Sequence, residues 1–237
     1  MTKRNPNDEV RTVPGGISAF SLIELLVVIA VIALLAAMIV PITGKVSQMR
    51  IRNRALGQMQ TLITGISSYK ATYGFYPPDN PGFPTTNQLY FELLGTIFDP
   101  AKNTFTTKDG SAQLSVANFN TFFGGRVTGF MNCTKGAASD EGQPAKPFLN
   151  NIKSAAIAQL QPVAGSDKMF VFAAKPDWPS DPNFPIAGNA TVNPWRYVSS
   201  SPAHNRESYD LWIDVIISGK TNRICNWSKQ VLINPYP

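Results

Sequence analysis

Histidine and cysteine are almost missing from this chain, with one and two copies in 237 residues. Cys133 and Cys225 are far apart in sequence, which excludes a zinc cluster built from cysteines alone. His204 sits in Ser201-Pro202-Ala203-His204-Asn205-Arg206, a loop-like context where a lone imidazole reads as a surface residue rather than a base. Ser199–Ser201 lack a Gly-x-Ser-x-Gly setting, and there is no Walker sequence, no dinucleotide fingerprint and no metal-spaced His/Cys set. Asp177 and Asp181 flank Trp178-Pro179, whereas Asp210 and Asp214, four apart, would share one face of a strand as a solvated edge. The chain is therefore not expected to be an enzyme or to carry a cofactor or a metal.

Acid is also scarce: none occurs from Pro41 until Asp79, while Lys45, Arg50, Arg52 and Arg54 cluster in that interval. Such a cluster suits phosphate headgroups or acids on a neighbouring copy of the chain. The overall charge of +6 is otherwise spread out, which reads as a solvated surface, so no nucleic-acid partner is expected. Hydrophobic content of 43% and charged content of 15% describe a folded domain, and 19 prolines and 17 glycines, mostly after Tyr73, make its body loop-rich. No internal repeat or low-complexity tract is present.

What the chain does have is an apolar run, Phe20–Ile42, in which Glu24 is the only ionisable residue. As a helix it would cover roughly 34 Å, against a bilayer hydrocarbon core of about 30 Å, so a transmembrane helix is expected. A carboxylate unpaired in lipid costs on the order of 2–3 kcal/mol, so Glu24 calls for interfacial water or a positive group from another copy, such as a terminal amine. Three basic residues precede the run and four follow closely, which leaves the topology open on charge alone. A conventional secretory signal is excluded by the length of the run.

Beyond Gly44 the apolar positions Leu56, Met59, Leu62, Ile63, Ile66, Tyr69 and Tyr73 recur by threes and fours, predicting an amphipathic continuation of the helix. Gly44, Gly57 and Gly65 are weak points in it, each costing about 1 kcal/mol relative to alanine. It ends at Tyr73-Gly74-Phe75-Tyr76-Pro77-Pro78, where glycine allows a left-handed cap and the prolines forbid further turns. Between Asp79 and Pro194 the pattern suggests short helices in Asn87–Phe98 and Ile152–Leu160, an aromatic-anchored loop at Phe119–Phe130 and a strand at Met169–Ala174. Trp195–Ser199, Tyr209–Ile217 and Arg223–Trp227 read as an antiparallel meander. In an exported body Cys133 and Cys225 could form a disulfide worth about 4 kcal/mol, or remain two thiols.

Phe20-Ser21-Leu22-Ile23-Glu24, after a short basic leader, matches residue for residue the class III signal of type IV pilins and pseudopilins, and Pro41 falls where that family often carries a helix-loosening proline. The family usually has glycine before the phenylalanine, and this chain has Ala19; a cut at Gly16 instead would move Glu24 out of the family register. Tyr69–Pro77 is similar to the Tyr-x-x-x-x-Gly-x-Tyr-Pro that closes the helix in major pseudopilins of type II secretion systems. Asn193–Tyr197, Tyr209–Leu211 and Ile224–Trp227 are similar to their closing sheet. That family binds calcium in an acid-bearing loop, but Ser218–Arg223 has two cations and no carboxylate, so no calcium is expected there.

The resemblance implies cleavage between Ala19 and Phe20 by prepilin peptidase and N-methylation of Phe20, with Glu24 and Pro41 serving assembly. It implies an α+β, pilin-like fold: a leader 1–19, a transmembrane and filament-core helix 20–42, an amphipathic continuation 43–75, a loop-rich variable region 76–194 and a small antiparallel sheet 195–237. The function implied is that of a structural filament subunit, foremost the major pseudopilin of a type II secretion system. The alternatives are a type IV pilin for adhesion, motility or DNA uptake, and a membrane-anchored binding protein that does not polymerise. Its partners would be further copies in a helical filament, prepilin peptidase, the inner-membrane assembly platform and the lipid bilayer. Its place would be the bacterial inner membrane, with the body in the periplasm.

Overall fold

The computed structural model describes residues 21–135, 144–161, 167–174 and 192–233, without the side chains of residues 38–45. The chain divides into two compact units, Met1–Val46 and Ser47–Pro237. Helix α1 runs over Leu22–Tyr73 and so contributes to both.

In the first unit the described side chains are those of residues 21–37 and Val46, and the apolar ones among them are exposed. Among the described residues no helix is long and apolar enough to cross a membrane. The pilin-like layout, with a membrane-crossing helical half, one small sheet and a loop-rich insertion, is thus corrected: the protein is α+β with three sheets.

The second unit is built on the part of α1 after Ser47. Ala55, Leu62, Ile66 and Tyr69 are buried, and Ile51, Leu56, Met59, Ile63 and Tyr73 pack beside them, at the three-and-four spacing of one helix face. Gly65 is no weak point there: a Cβ would lie 2.9 Å from Leu149, so the missing side chain is what lets Leu149 reach the helix. The helix stops at Tyr73 because Gly74 takes φ +83°, and its N–H caps Lys70 O at 2.8 Å.

The stretch 76–194 holds two sheets rather than an open run of loops. After α2 (Leu89–Leu94), Gly95 at φ +72° turns the chain into β1 (Thr96–Asp99), which ends the helix expected to run on to Phe98. β1 pairs antiparallel with β2 (Thr104–Thr107), β2 with β3 (Gln113–Ser115), and β1 in parallel with β4 (Cys133–Lys135), giving the order β3-β2-β1-β4. Phe119–Phe123 forms α3 instead of a loop, closed by Gly124 in the left-handed conformation. Phe119 and Phe123 join Phe91, Phe105 and Phe130 in one aromatic cluster, with Phe91 and Phe130 stacked at 4.7 Å.

The helix expected over Ile152–Leu160 is a single 3₁₀ turn, Ser154–Ala156, followed by strand β5 (Ile157–Leu160). The reason is a distant partner: β5 pairs antiparallel with β6 (Met169–Phe172), from Ile157 opposite Phe172 to Leu160 opposite Met169. β6 is prolonged by a bridge between Ala173 and Pro194, and Trp195 N donates to Phe172 O at 2.8 Å.

The C-terminal sheet has the order β10-β9-β8-β7, from β7 (Arg196–Val198), β8 (Asp210–Ile217), β9 (Lys220–Cys225) and β10 (Leu232–Ile233). Leu211, Ile213 and Val215 alternate onto the core face of β8 and are fully buried. β8 and β9 meet with Ile217 opposite Lys220, so Ser218 and Gly219 form a two-residue hairpin turn. Both have positive φ, +52° and +72°, as a type I′ turn requires.

Candidate assembly site

At the head of α1, Ser21 and Glu24 satisfy each other. Ser21 N donates to Glu24 Oε2 at 2.9 Å, and Glu24 N donates to Ser21 Oγ at 3.2 Å, the reciprocal pattern of a capping box. Glu24 therefore has a partner within its own chain. The signal was in the sequence as Ser-x-x-Glu before an apolar run and the reading passed over it. Ala19 and Phe20 lie outside the described residues, as does the side chain of Pro41.

Behind this cap the apolar side chains face outward. Leu22 is 82% exposed, and Ile23, Leu25, Leu26, Ile29, Ile32 and Leu34 are each more than half exposed. A contiguous apolar surface of this kind marks a place that another surface covers. Arg50, Arg52 and Arg54 are exposed, and the side chain of Lys45 is outside the described residues.

The tyrosines that end α1 are tied into the body through an acid that the sequence reading passed over. Glu92, fully buried on α2, accepts from Met131 N at 2.7 Å, Asn132 N at 2.9 Å and the Tyr69 hydroxyl at 3.0 Å. No cation pairs with it among the described residues, and burial pushes its carboxyl above the usual range against the pull of those three bonds. Burial and the Glu92 charge push the Tyr69 phenol up in turn. Asn132 completes the knot: Tyr73 Oη donates to its Oδ1 at 2.7 Å, while its Nδ2 donates to the carbonyls of Glu92 and Lys146. A single acid within the apolar run Leu89–Leu94 was the available hint.

The carboxylates weighed for chemistry have structural tasks. Asp210 and Asp214 share one face of β8, but both are buried, and the solvated edge expected for them is corrected. Asp214 is closed by a two-pronged pair with Arg223, from Nε at 2.8 Å and Nη2 at 2.9 Å. Asp210 takes the backbone N–H groups of Ala203, His204 and Asn205, and His204 Nδ1 lies 3.1 Å from it. His204 is exposed in its loop, as its sequence context suggests, and its ring stacks on Trp227 at 4.0 Å. Asp79 holds the preceding turn through Ser199 N, Ser200 N and Ser200 Oγ. Asp210 and Asp79 thus hold loops through backbone N–H groups, while Asp214 joins β8 to β9.

Asp177 and Asp181 lie outside the described residues. Cys133 on β4 and Cys225 on β9 are both free thiols, each pushed up by burial, so the disulfide alternative does not hold in this structure. Among the described residues no group of three or more His, Cys, Asp or Glu is placed to hold a metal. Within Ser218–Arg223 the arginine is engaged with Asp214. Comparison of the chain with family models, curated proteins and solved structures gives no match in any of the three.

Proposed function

We propose that the chain is a non-catalytic structural subunit that assembles with copies of itself into a filament, of the kind built by the major pseudopilins of type II secretion systems. The observation that carries this reading is the exposed apolar face of α1 from Leu22 to Leu35, headed by the Ser21–Glu24 cap. Apolar surface of that extent gains roughly 25 cal/mol per Å² when covered, which favours helix packing between copies. The pilin-type motif Phe20–Glu24 supports the same reading from sequence. Before assembly the apolar stretch rests in lipid at the bacterial inner membrane, with the body on the periplasmic side. Prepilin peptidase trims the chain at Ala19–Phe20 and methylates Phe20, and the assembly platform takes up the product.

In the filament Glu24 exchanges its capping bond for the terminal amine of a neighbouring copy, because a low-dielectric helix core strengthens that attraction and penalises an unpaired charge. Glu24→Gln separates the two roles, since glutamine still completes a capping box. The variant should be processed, should keep the circular dichroism spectrum of the body, and should fail to form filaments. Normal assembly by Glu24→Leu would overturn this role and favour an anchored protein that never polymerises. A chain retaining Met1 in cells with active prepilin peptidase, read by mass spectrometry, would remove the processing step.

A further inference from the structure

The turn that ends α1 sets Tyr76 among three side chains of the second unit. The Lys70 ammonium lies over its ring, 3.9 Å from the centroid, and the Ser208 hydroxyl donates to its oxygen at 3.1 Å. The ring of Tyr209 packs edge-on at 5.1 Å. The backbone on either side is pinned, since Pro77 O accepts from the Tyr197 hydroxyl at 2.8 Å and from Ser199 Oγ at 2.9 Å, and Gly74 N donates to Lys70 O. Tyr76 is half-buried, and burial weighs on its phenol less than the Ser208 and Lys70 side chains do.

Both neighbours favour negative charge on the Tyr76 oxygen, Ser208 through a hydrogen bond to it and Lys70 through a positive charge beside the ring. Together they draw the phenol below its ordinary range, the Ser208 bond first and Lys70 next, and no carboxylate is among the groups that act on it. Tyr209 goes the other way: burial and then the Tyr76 charge push it up to about 12. Tyr69, Tyr73, Tyr90 and Tyr197 are pushed up by burial as well, so among the described tyrosines Tyr76 alone is lowered. Two touching phenols pushed apart in this way take different roles, and the lowered one is the nucleophile.

We infer that Tyr76 is a covalent modification site, a nucleophilic phenol that takes an acyl group from an activated acyl donor, with Lys70 and Ser208 as its positioning residues. The phenolic oxygen attacks the acyl carbon, and the new C–O bond forms as the bond from that carbon to the leaving group breaks. The phenolic proton departs with the leaving group, and the product is an aryl ester. Lys70 and Ser208 stabilise the negative charge that gathers on the phenolic oxygen as it loses its proton. The inference does not rest on filament assembly and holds or fails separately from it.

The test uses the full chain in detergent with limiting N-acetylimidazole, and N-acetyl-tyrosinamide in the same tube as an unperturbed phenol. Peptide mass spectrometry follows acetylation residue by residue, and hydroxylamine, which cleaves aryl esters but not amides, separates the Tyr76 product from any lysine product. At pH 8 Tyr76 should acetylate about threefold faster than the reference or more, and its rate should level off at a lower pH. Lys70→Gln/Ser208→Ala should bring the rate down to that of the reference or below and move the levelling-off to higher pH. Lys70→Arg, which keeps the charge, should retain most of the acceleration. The comparison of the native chain with the reference needs no variant, so it decides the matter even where a variant fails to fold. A Tyr76 rate at or below that of the reference, or a rate and pH profile left unchanged by Lys70→Gln/Ser208→Ala, overturns the proposal.

Discussion

Glu92→Leu tests how the helix is fastened to the body. The substitution removes the acceptor of three buried donors, Met131 N, Asn132 N and the Tyr69 hydroxyl. A buried donor left open costs about 1–3 kcal/mol, so three amount to roughly 3–9 kcal/mol. Against this stands relief of a carboxylate that is fully buried without a cation, together with the apolar gain of leucine, about 2 kcal/mol. The net expectation is a loss of about 3 kcal/mol. Tyr69→Phe removes one of the three bonds and should cost about 1.5 kcal/mol. Urea unfolding of the full chain in detergent, followed by tryptophan fluorescence, reads the difference. With a slope of about 2 kcal/mol/M, the midpoint should fall by roughly 1.5 M for Glu92→Leu and by about half that for Tyr69→Phe. The double variant should lose less than the two singles together, because both act on the same bond. A shift below about 0.5 M for Glu92→Leu would show that the knot contributes nothing net, and that α1 is held by apolar packing alone.

Glu92 also sets a pH dependence. Burial raises its folded pKa above the ordinary 4.5, so its stabilising contribution is complete below that value and is lost as pH rises through the folded one. The stability of the native chain minus that of Glu92→Gln, from urea unfolding across pH 4–8, should therefore decline with pH, at most by about 1.4 kcal/mol per unit. Glycine replacements on α1 should go opposite ways in thermal melts. Gly65→Ala drives a Cβ to 2.9 Å from Leu149 and should destabilise by about 1–3 kcal/mol, whereas Gly57→Ala meets nothing and should stabilise by about 0.5–1 kcal/mol. Arg223→Met strands the fully buried Asp214 carboxylate and should cost about 3 kcal/mol, seen as a lowered Tm; an unchanged Tm would mean that its other contacts suffice.

Local order was legible in the sequence wherever it is set by neighbours along the chain. The face of α1 that carries Leu62, Ile66 and Tyr69 follows from the 3.6-residue period, its end from Gly74 and the prolines after it, and the alternation of Leu211, Ile213 and Val215 from the two-residue period of a strand. The Ser21–Glu24 cap was equally available from residues three apart. What only the tertiary structure decided depends on partners remote in the chain. Ile157–Leu160 is a strand because Met169–Phe172 supplies its hydrogen bonds, and the sheet β3-β2-β1-β4 exists because Cys133 comes to lie opposite Thr96. Asp210 and Asp214 share a face, as their spacing dictates, but whether the two acids meet water was settled by Arg223, His204 and Trp227 folding around them. Glu92 and Asn132 show no pattern in sequence, since a hydrogen-bond knot joining residues 69, 73, 92, 132 and 146 has no period to detect. Periodicity records which side of an element is apolar, and only long-range packing determines what that side meets.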